Sequence, residues 1–169
     1  MRFLHTSDWH VGKSVRGISR ADEHRAVLAE IAEIASSHSV DLVIVAGDLF
    51  ETATPGPEST QIVYSALLEL SRTAEVVVIS GNHDNAAMLR AVAPLLELGR
   101  VHVVAKPLRP ADGGVRTIET PGGELDLAAL PFISQRGVVS AESLMRDAAY
   151  ETAQTYGSRL GSLIGLLAA

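Results

Sequence analysis

The chain has 169 residues, 47% of them hydrophobic and 20% charged, with a formal net charge of −6. That composition is globular rather than disordered, and the length suits one domain with a true core rather than two. Cysteine is absent, which excludes disulfides, zinc–thiolate centres and thiol nucleophiles.

Residues 2–7 form a short opening strand with no signal-peptide core before it. No apolar run reaches the ~18 residues a membrane span needs, so a soluble, cytoplasmic protein is expected. A polar, glycine-containing loop follows to Gly17-Ile18. Ser19 then reads as an N-cap with Asp22 three residues on, and Val27, Leu28, Ile31, Ile34 and Ala35 lie on one helical face. Residues 41–46 are a buried second strand. Pro55-Gly56-Pro57 marks a turn, and Ile62, Val63, Ala66, Leu67 and Leu70 mark a second helix. A third strand spans 75–80, a third helix 86–98 ends at Gly99, and a fourth strand covers 101–104. Strands alternating with helices of this length predict βαβ units and a parallel sheet. Residues 114–120 and 124–130, joined across Pro121-Gly122-Gly123, predict a hairpin antiparallel to the other strands. From about Ser140 the pattern is helical. It closes on a stripe of Leu160, Leu163, Ile164 and Leu167 that ends uncapped and calls for something to pack against.

The chemistry-bearing residues sit at strand ends. Val76-Val77-Val78-Ile79 is a β-branched run that stops at Ser80-Gly81, and Asn82, His83 and Asp84 follow at once. Gly81 is expected to supply a sharp or left-handed turn. Asp8 and His10 follow the first strand and Asp48 the second, each about one βα unit from the next motif. Parallel strands from such units lie side by side, so the motifs should converge on the carboxyl rim of the sheet, where open α/β sheets bind ligands. Carboxylate, imidazole and amide oxygen together suit divalent ions such as Mn²⁺, Fe²⁺ or Mg²⁺. Asp8 and His10 are expected to hold one ion, Asp48 to bridge and Asn82 to bind a second. A pair of ions can clamp the attacking and leaving oxygens of a displacement at phosphorus. His83 would donate to the phosphoryl oxygen or leaving group, with Asp84 orienting its ring.

Other residues receive plainer expectations. His5 reads as a packed, hydrogen-bonded strand residue, His24 and His38 as solvent-facing or capping, and His102 as structural. Trp9 packs under its loop, with stacking on a base as the alternative. The acidic net charge argues against a nucleic-acid partner, but divalent ions would offset it. Lys13, Arg16, Arg20 and Arg25 also cluster after the first motif as a phosphate-attracting rim.

Asp-x-His, Gly-Asp and Gly-Asn-His in this order resemble the calcineurin-like metallophosphoesterases. Three longer segments are similar to the SbcD-type nuclease subunits of that superfamily: Leu4-His-Thr-Ser-Asp-Trp-His10, Val45-Ala-Gly-Asp-Leu-Phe-Glu51 with Thr54-Pro55, and Val78-Ile-Ser-Gly-Asn-His-Asp84. The resemblance covers about residues 1–105 and continues more loosely to the end. It implies an α/β fold, a layered βαβ sandwich with a mainly parallel sheet, truncated at the C-terminus. It implies metal ligands Asp8, His10, Asp48 and Asn82, two ions that are most often Mn²⁺, and a catalytic His83 with Asp84 beside it. Glu51 falls where the family places a variable residue beside the substrate; Lys13, Arg16 and Arg20, from the basic cluster, are also expected to contact it. The implied activity is 3′→5′ double-strand exonuclease and single-strand endonuclease in DNA repair and recombination. The implied partners are DNA and an SbcC-type ATPase, with a homodimer also open. The alternatives are a phosphatase or cyclic-nucleotide phosphodiesterase of the superfamily, and a non-catalytic scaffold. The family completes its site with further histidines downstream, including Gly-His-x-His, and no histidine follows His102. Residues 1–169 are therefore expected to be the N-terminal portion of the nuclease domain, lacking the DNA-capping region and about half the ligands.

Overall fold

A computed structural model describes residues 1–134 and 156–168. Its centre is a four-stranded parallel sheet in the order β1-β4-β5-β6, built from Phe3–Thr6, Leu42–Ala46, Glu75–Ile79 and Val101–Val104. The register aligns Leu4, Val43, Val76 and Val101 across one face. Two residues further on, Val45 and Val78 continue the same face, since side chains alternate along a strand. Helices α1 (Ala21–Ser37), α2 (Pro57–Leu70) and α3 (Ala86–Glu97) are the crossovers. They bring Leu28, Ala35, Ile62, Val63, Leu67, Leu70, Leu89 and Leu96 into one core with those valines.

Each crossover has a local cause. Pro57 occupies the first turn of α2, where its missing N–H costs nothing. Asn85 caps α3, its Oδ1 accepting from the amides of Ala87 and Met88. Helix α1 starts at Ala21, one residue later than a Ser19 N-cap would place it, yet the Ser19 hydroxyl still accepts from the Ala21 amide. Its buried face is narrower than expected. Leu28 and Ala35 are buried with Ile31 and Ala32 packed against the core, while Val27 and Ile34 are exposed, having rotated off that face.

The opposite face of the sheet is covered differently. Strands β7 (Val115–Thr120) and β8 (Gly123–Ala128) form the expected hairpin, but as a two-stranded sheet of their own rather than an extension of the parallel one. Ile118, Leu125 and Leu127 lie over Leu42, Ile44 and Val77. The cover stops short of β1. Phe3 is 53% exposed and His5 is exposed too, so His5 is not the packed residue its position in a strand predicted. Beyond the hairpin, α4 (Tyr156–Leu167) buries Leu163 beside Ile133, and the Tyr156 hydroxyl donates to the Ile133 carbonyl at 2.8 Å. Of the expected stripe, Leu163 and Leu167 are buried and Ile164 is exposed. The helical pattern expected from Ser140 up to residue 155 lies outside the described residues.

Candidate metal centre

The chain does not turn away when β1 and β4 end. The two segments run on side by side: the amides of Asp8, His10 and Val11 donate to the carbonyls of Gly47, Asp48 and Leu49 at 3.0–3.1 Å. The Glu51 amide then donates back to Val11 at 3.1 Å. This ladder lays Asp8 and His10 beside Asp48. It forces unusual backbone on the side chains concerned, since Asp8 (φ 58°), His10 (φ 45°) and Asp48 (φ 54°) are all left-handed. Non-glycine residues hold that conformation at a cost and cluster at functional sites.

The end of β5 approaches the same ladder. A Cβ on Gly81 would lie 2.1 Å from Asp48 Oδ1 and 2.3 Å from the Asp48 nitrogen, and one on Gly47 would lie 2.7 Å from the Gly81 Cα. Gly81 is therefore required for close approach, and since its φ is not among the positive ones, the left-handed form of the turn expected there is not adopted. Through this contact the Asp48 Oδ1 accepts from the His83 amide at 2.9 Å.

The rim so assembled contains two candidate ligand groups, Asp8–His10–Asp48 and His10–Glu51–His83. His10 Nε2 stands 3.7 Å from Asp8 Oδ1 and 3.9 Å from Asp48 Oδ2. Both separations are below twice a metal–ligand bond of about 2.1 Å, so one ion can touch all three side chains. The donors are mixed carboxylate and imidazole, and His10 Nδ1 and Glu51 Oε2 are buried without a well-formed hydrogen bond. The site fits a borderline-to-hard divalent ion. Asn82 lies one residue beyond Gly81 and is exposed.

His83 is oriented by the main chain: its Nδ1 lies 2.8 Å from the Glu51 carbonyl. That hydrogen bond is the chief reason its imidazole stays protonated above the ordinary range, with the Asp48 and Glu51 charges adding to it. Its ring meets the His10 ring edge-on at 4.8 Å. Asp84, expected to orient this ring, instead accepts from the Phe50 amide at 3.2 Å and the Gly81 amide at 2.9 Å. It ties the β4 and β5 loops together. Burial raises its pKa, partly offset by those amides.

The remaining expected residues divide. Lys13 reaches the rim, its Nζ 3.6 Å from Glu51 Oε1. Arg16 sits in an exposed two-residue turn with Gly17, φ 52° and 79°, joining β2 (Ser14–Val15) to β3 (Ile18–Ser19). Positive φ at both positions is the hairpin geometry that matches strand twist, and a plain loop was expected here. Arg20 pairs with Glu23 at 2.6 Å, and Arg25 with Asp22 and Glu58 at 2.8 and 2.7 Å. Of these basic residues, Lys13 is the one whose ion pair is with a rim carboxylate. Trp9 is buried, its Nε1 donating to Thr6 Oγ1 at 3.0 Å, so it packs under the loop. His24 is half-buried rather than solvent-facing, whereas His38 caps α1 through the Ile34 carbonyl and His102 pairs with Glu75.

A parallel sheet whose strand ends gather aspartates and histidines in this order defines a metallophosphoesterase site, and the calcineurin-like phosphoesterase family model matches residues 1–150. The chain belongs to that family. It is 40% identical over 149 residues to the SbcD subunit of the SbcCD nuclease of Rhodobacter capsulatus, covering 85% of this chain and 34% of that protein. It is 35% identical over 144 residues to the SbcD subunit of the same nuclease in Escherichia coli, covering 85% and 36%. The chain thus spans about a third of the length of these curated relatives. The crystal structure of Pseudomonas putida nuclease MPE overlaps 63% of this chain and 49% of its own, at 20% identity and a TM-score of 0.40, a match too loose to bear on the reaction. The family implies divalent metal ions, for which the two groups above are the candidate ligands. Among the described residues no helix is long and apolar enough to cross a membrane.

Proposed function

We propose that this chain carries the metal-binding rim of a DNA nuclease of the SbcD kind. Such an enzyme hydrolyses phosphodiesters as a 3′→5′ double-strand exonuclease and single-strand endonuclease, with Mn²⁺ as its ion and an SbcC-type ATPase as its partner. The carrying observation is the convergence of Asp8, His10, Asp48 and His83 in a chain 40% identical to a nuclease subunit over 149 residues. Asp8, His10 and Asp48 would hold the ion, and Asn82 would serve a second. Bound divalent ions supply Lewis-acid stabilisation of charge at phosphorus and activate water.

The chain's own side chains do the rest. His83, held by the Glu51 carbonyl through Nδ1, keeps Nε2 available as a donor. Its imidazolium form donates to the phosphoryl oxygen or departing oxygen as charge grows there. Lys13 and Arg16 take backbone phosphates, which position DNA without reading its sequence. Asp84 keeps the two loops in register rather than touching substrate.

The test is digestion of linear duplex and single-stranded circular DNA with Mn²⁺, beside p-nitrophenyl phosphate. The nuclease reading expects DNA cleavage that His83→Ala lowers by about 10²–10⁴-fold. Turnover of the small monoester alone would replace it with a phosphatase reading.

A further inference from the structure

Glu51 touches both rim histidines, and by different means. Its main chain is pinned by the amide bond to Val11, and its carbonyl lies 2.8 Å from His83 Nδ1. Its side chain turns the other way, with Oε2 2.9 Å from His10 Nδ1 and Oε1 3.6 Å from Lys13 Nζ. We propose that Glu51 is a positioning residue that sets the ring orientation of both histidines, presenting the Nε2 of each to the reaction centre. This rests on His10 being a metal ligand, and not on DNA being the substrate.

His83 is oriented by a formed hydrogen bond. His10 is oriented by burial. His10 Nδ1 and Glu51 Oε2 are both buried and lack a hydrogen bond of good geometry, and each is within 2.9 Å of the other. A buried polar atom without a partner is costly, so the arrangement that satisfies both puts the ring proton on Nδ1, directed at the carboxylate. His10 Nε2, the atom facing Asp8 and Asp48, is then left with its lone pair as a ligand. Metal-ligating histidines commonly donate their second ring nitrogen to a carboxylate in this way. The other carboxylate oxygen, Oε1, lies 3.6 Å from Lys13 Nζ.

The same geometry separates orientation from ligation. If Glu51 were itself a ligand, removing it would cost an ion. If it only orients, the number of ions is unchanged and their affinity falls. Long-range ¹H–¹⁵N correlation spectra of the metal-free 169-residue chain read the tautomers directly. In their neutral forms both rings are expected to carry the proton on Nδ1. In Glu51→Ala, His10 should become a tautomer mixture while His83, served by the main chain, stays as it was. Glu51→Gln, which keeps an acceptor oxygen and nearly the same shape, should hold His10 closer to wild type. Mn²⁺ titration should show about 10–100-fold weaker binding in Glu51→Ala at unchanged stoichiometry. An unaltered His10 tautomer in both variants would overturn the proposal, as would loss of one ion per chain. Failure of the wild-type chain to bind Mn²⁺ would overturn the ligand reading of His10. The absence of DNA cleavage with these results intact would overturn the nuclease reading alone.

Discussion

Asp8, His10 and Asp48 all adopt left-handed backbone along the ladder their two strand ends form, and Gly81 approaches that ladder at Asp48. Gly81→Ala would place a methyl 2.1 Å from a carboxylate oxygen and 2.3 Å from a backbone nitrogen, and a backbone atom cannot swing aside. The expected loss is about 1–3 kcal/mol of stability. Mn²⁺ affinity should fall with it, because the hydrogen bond from the His83 amide to Asp48 Oδ1 is lost; thermal unfolding and metal titration of one sample check both. A glycine in Gly-Asn-His was legible from sequence, but its reason was not. Turn and close approach look identical in a string of letters, and only the neighbouring loop distinguishes them. The same holds for Asp84, where adjacency to His83 suggested a partner for the ring, whereas the fold spends both oxygens on amides of two different loops. His24 was similarly misread. Burial, then the charge of Arg20, holds its imidazole below the ordinary range. Unfolding restores the ordinary value of about 6.5, so the unfolded chain takes up a proton first as pH falls. The stability His24 contributes is full above the unfolded value and is lost as pH falls through the lower folded value. Wild type should therefore lose more Tm between about pH 7.5 and about pH 5 than His24→Gln does. Equal slopes would remove His24 from the acid response.

At the scale of elements, the parallel sheet was legible because three of its four strands are short and rich in β-branched residues and the crossovers between them carry local start and stop signals. Pro57 and Asn85 are local signals that need no tertiary context. The position of β7–β8 depends instead on which sheet face lacks a helix, a property of the assembled fold. Helix α2 shows how sharply one face is selected. Leu67 is fully buried and its neighbour Leu68 is 45% exposed, one step of about 100° around the helix. Leu67→Ala should cost about 2–5 kcal/mol, since the parallel sheet beneath it cannot collapse into the space. Leu68→Ala should change stability by about 0.5 kcal/mol or less. Urea unfolding of the two variants measures the difference, and comparable losses would contradict the assignment of the α2 face.

For the whole molecule, metal binding is the property that would join fold to chemistry, because the candidate ligands come from three strand ends that meet only in the folded chain. An ion that binds the native state alone stabilises it by mass action, by about 2.7 kcal/mol at 100 times its Kd. Mn²⁺ should therefore raise the Tm of the wild-type chain. Asp48 is the decisive position: Oδ2 faces His10 at 3.9 Å while Oδ1 accepts from the His83 amide at 2.9 Å. Replacing it by alanine removes ligand and hydrogen bond together, so lower stability there would be ambiguous. Asp48→Asn keeps an acceptor oxygen for the His83 amide and removes the charge that an ion needs. Its Tm without metal should stay near that of wild type, and the rise with Mn²⁺ should vanish. A rise that survives in Asp48→Asn would place the stabilising ion elsewhere on the chain and remove Asp48 from the site. A rise in wild type that Asp48→Asn abolishes would mean that these strand ends bind metal within the 169 residues themselves, although they span about a third of the length of the nuclease subunits they resemble.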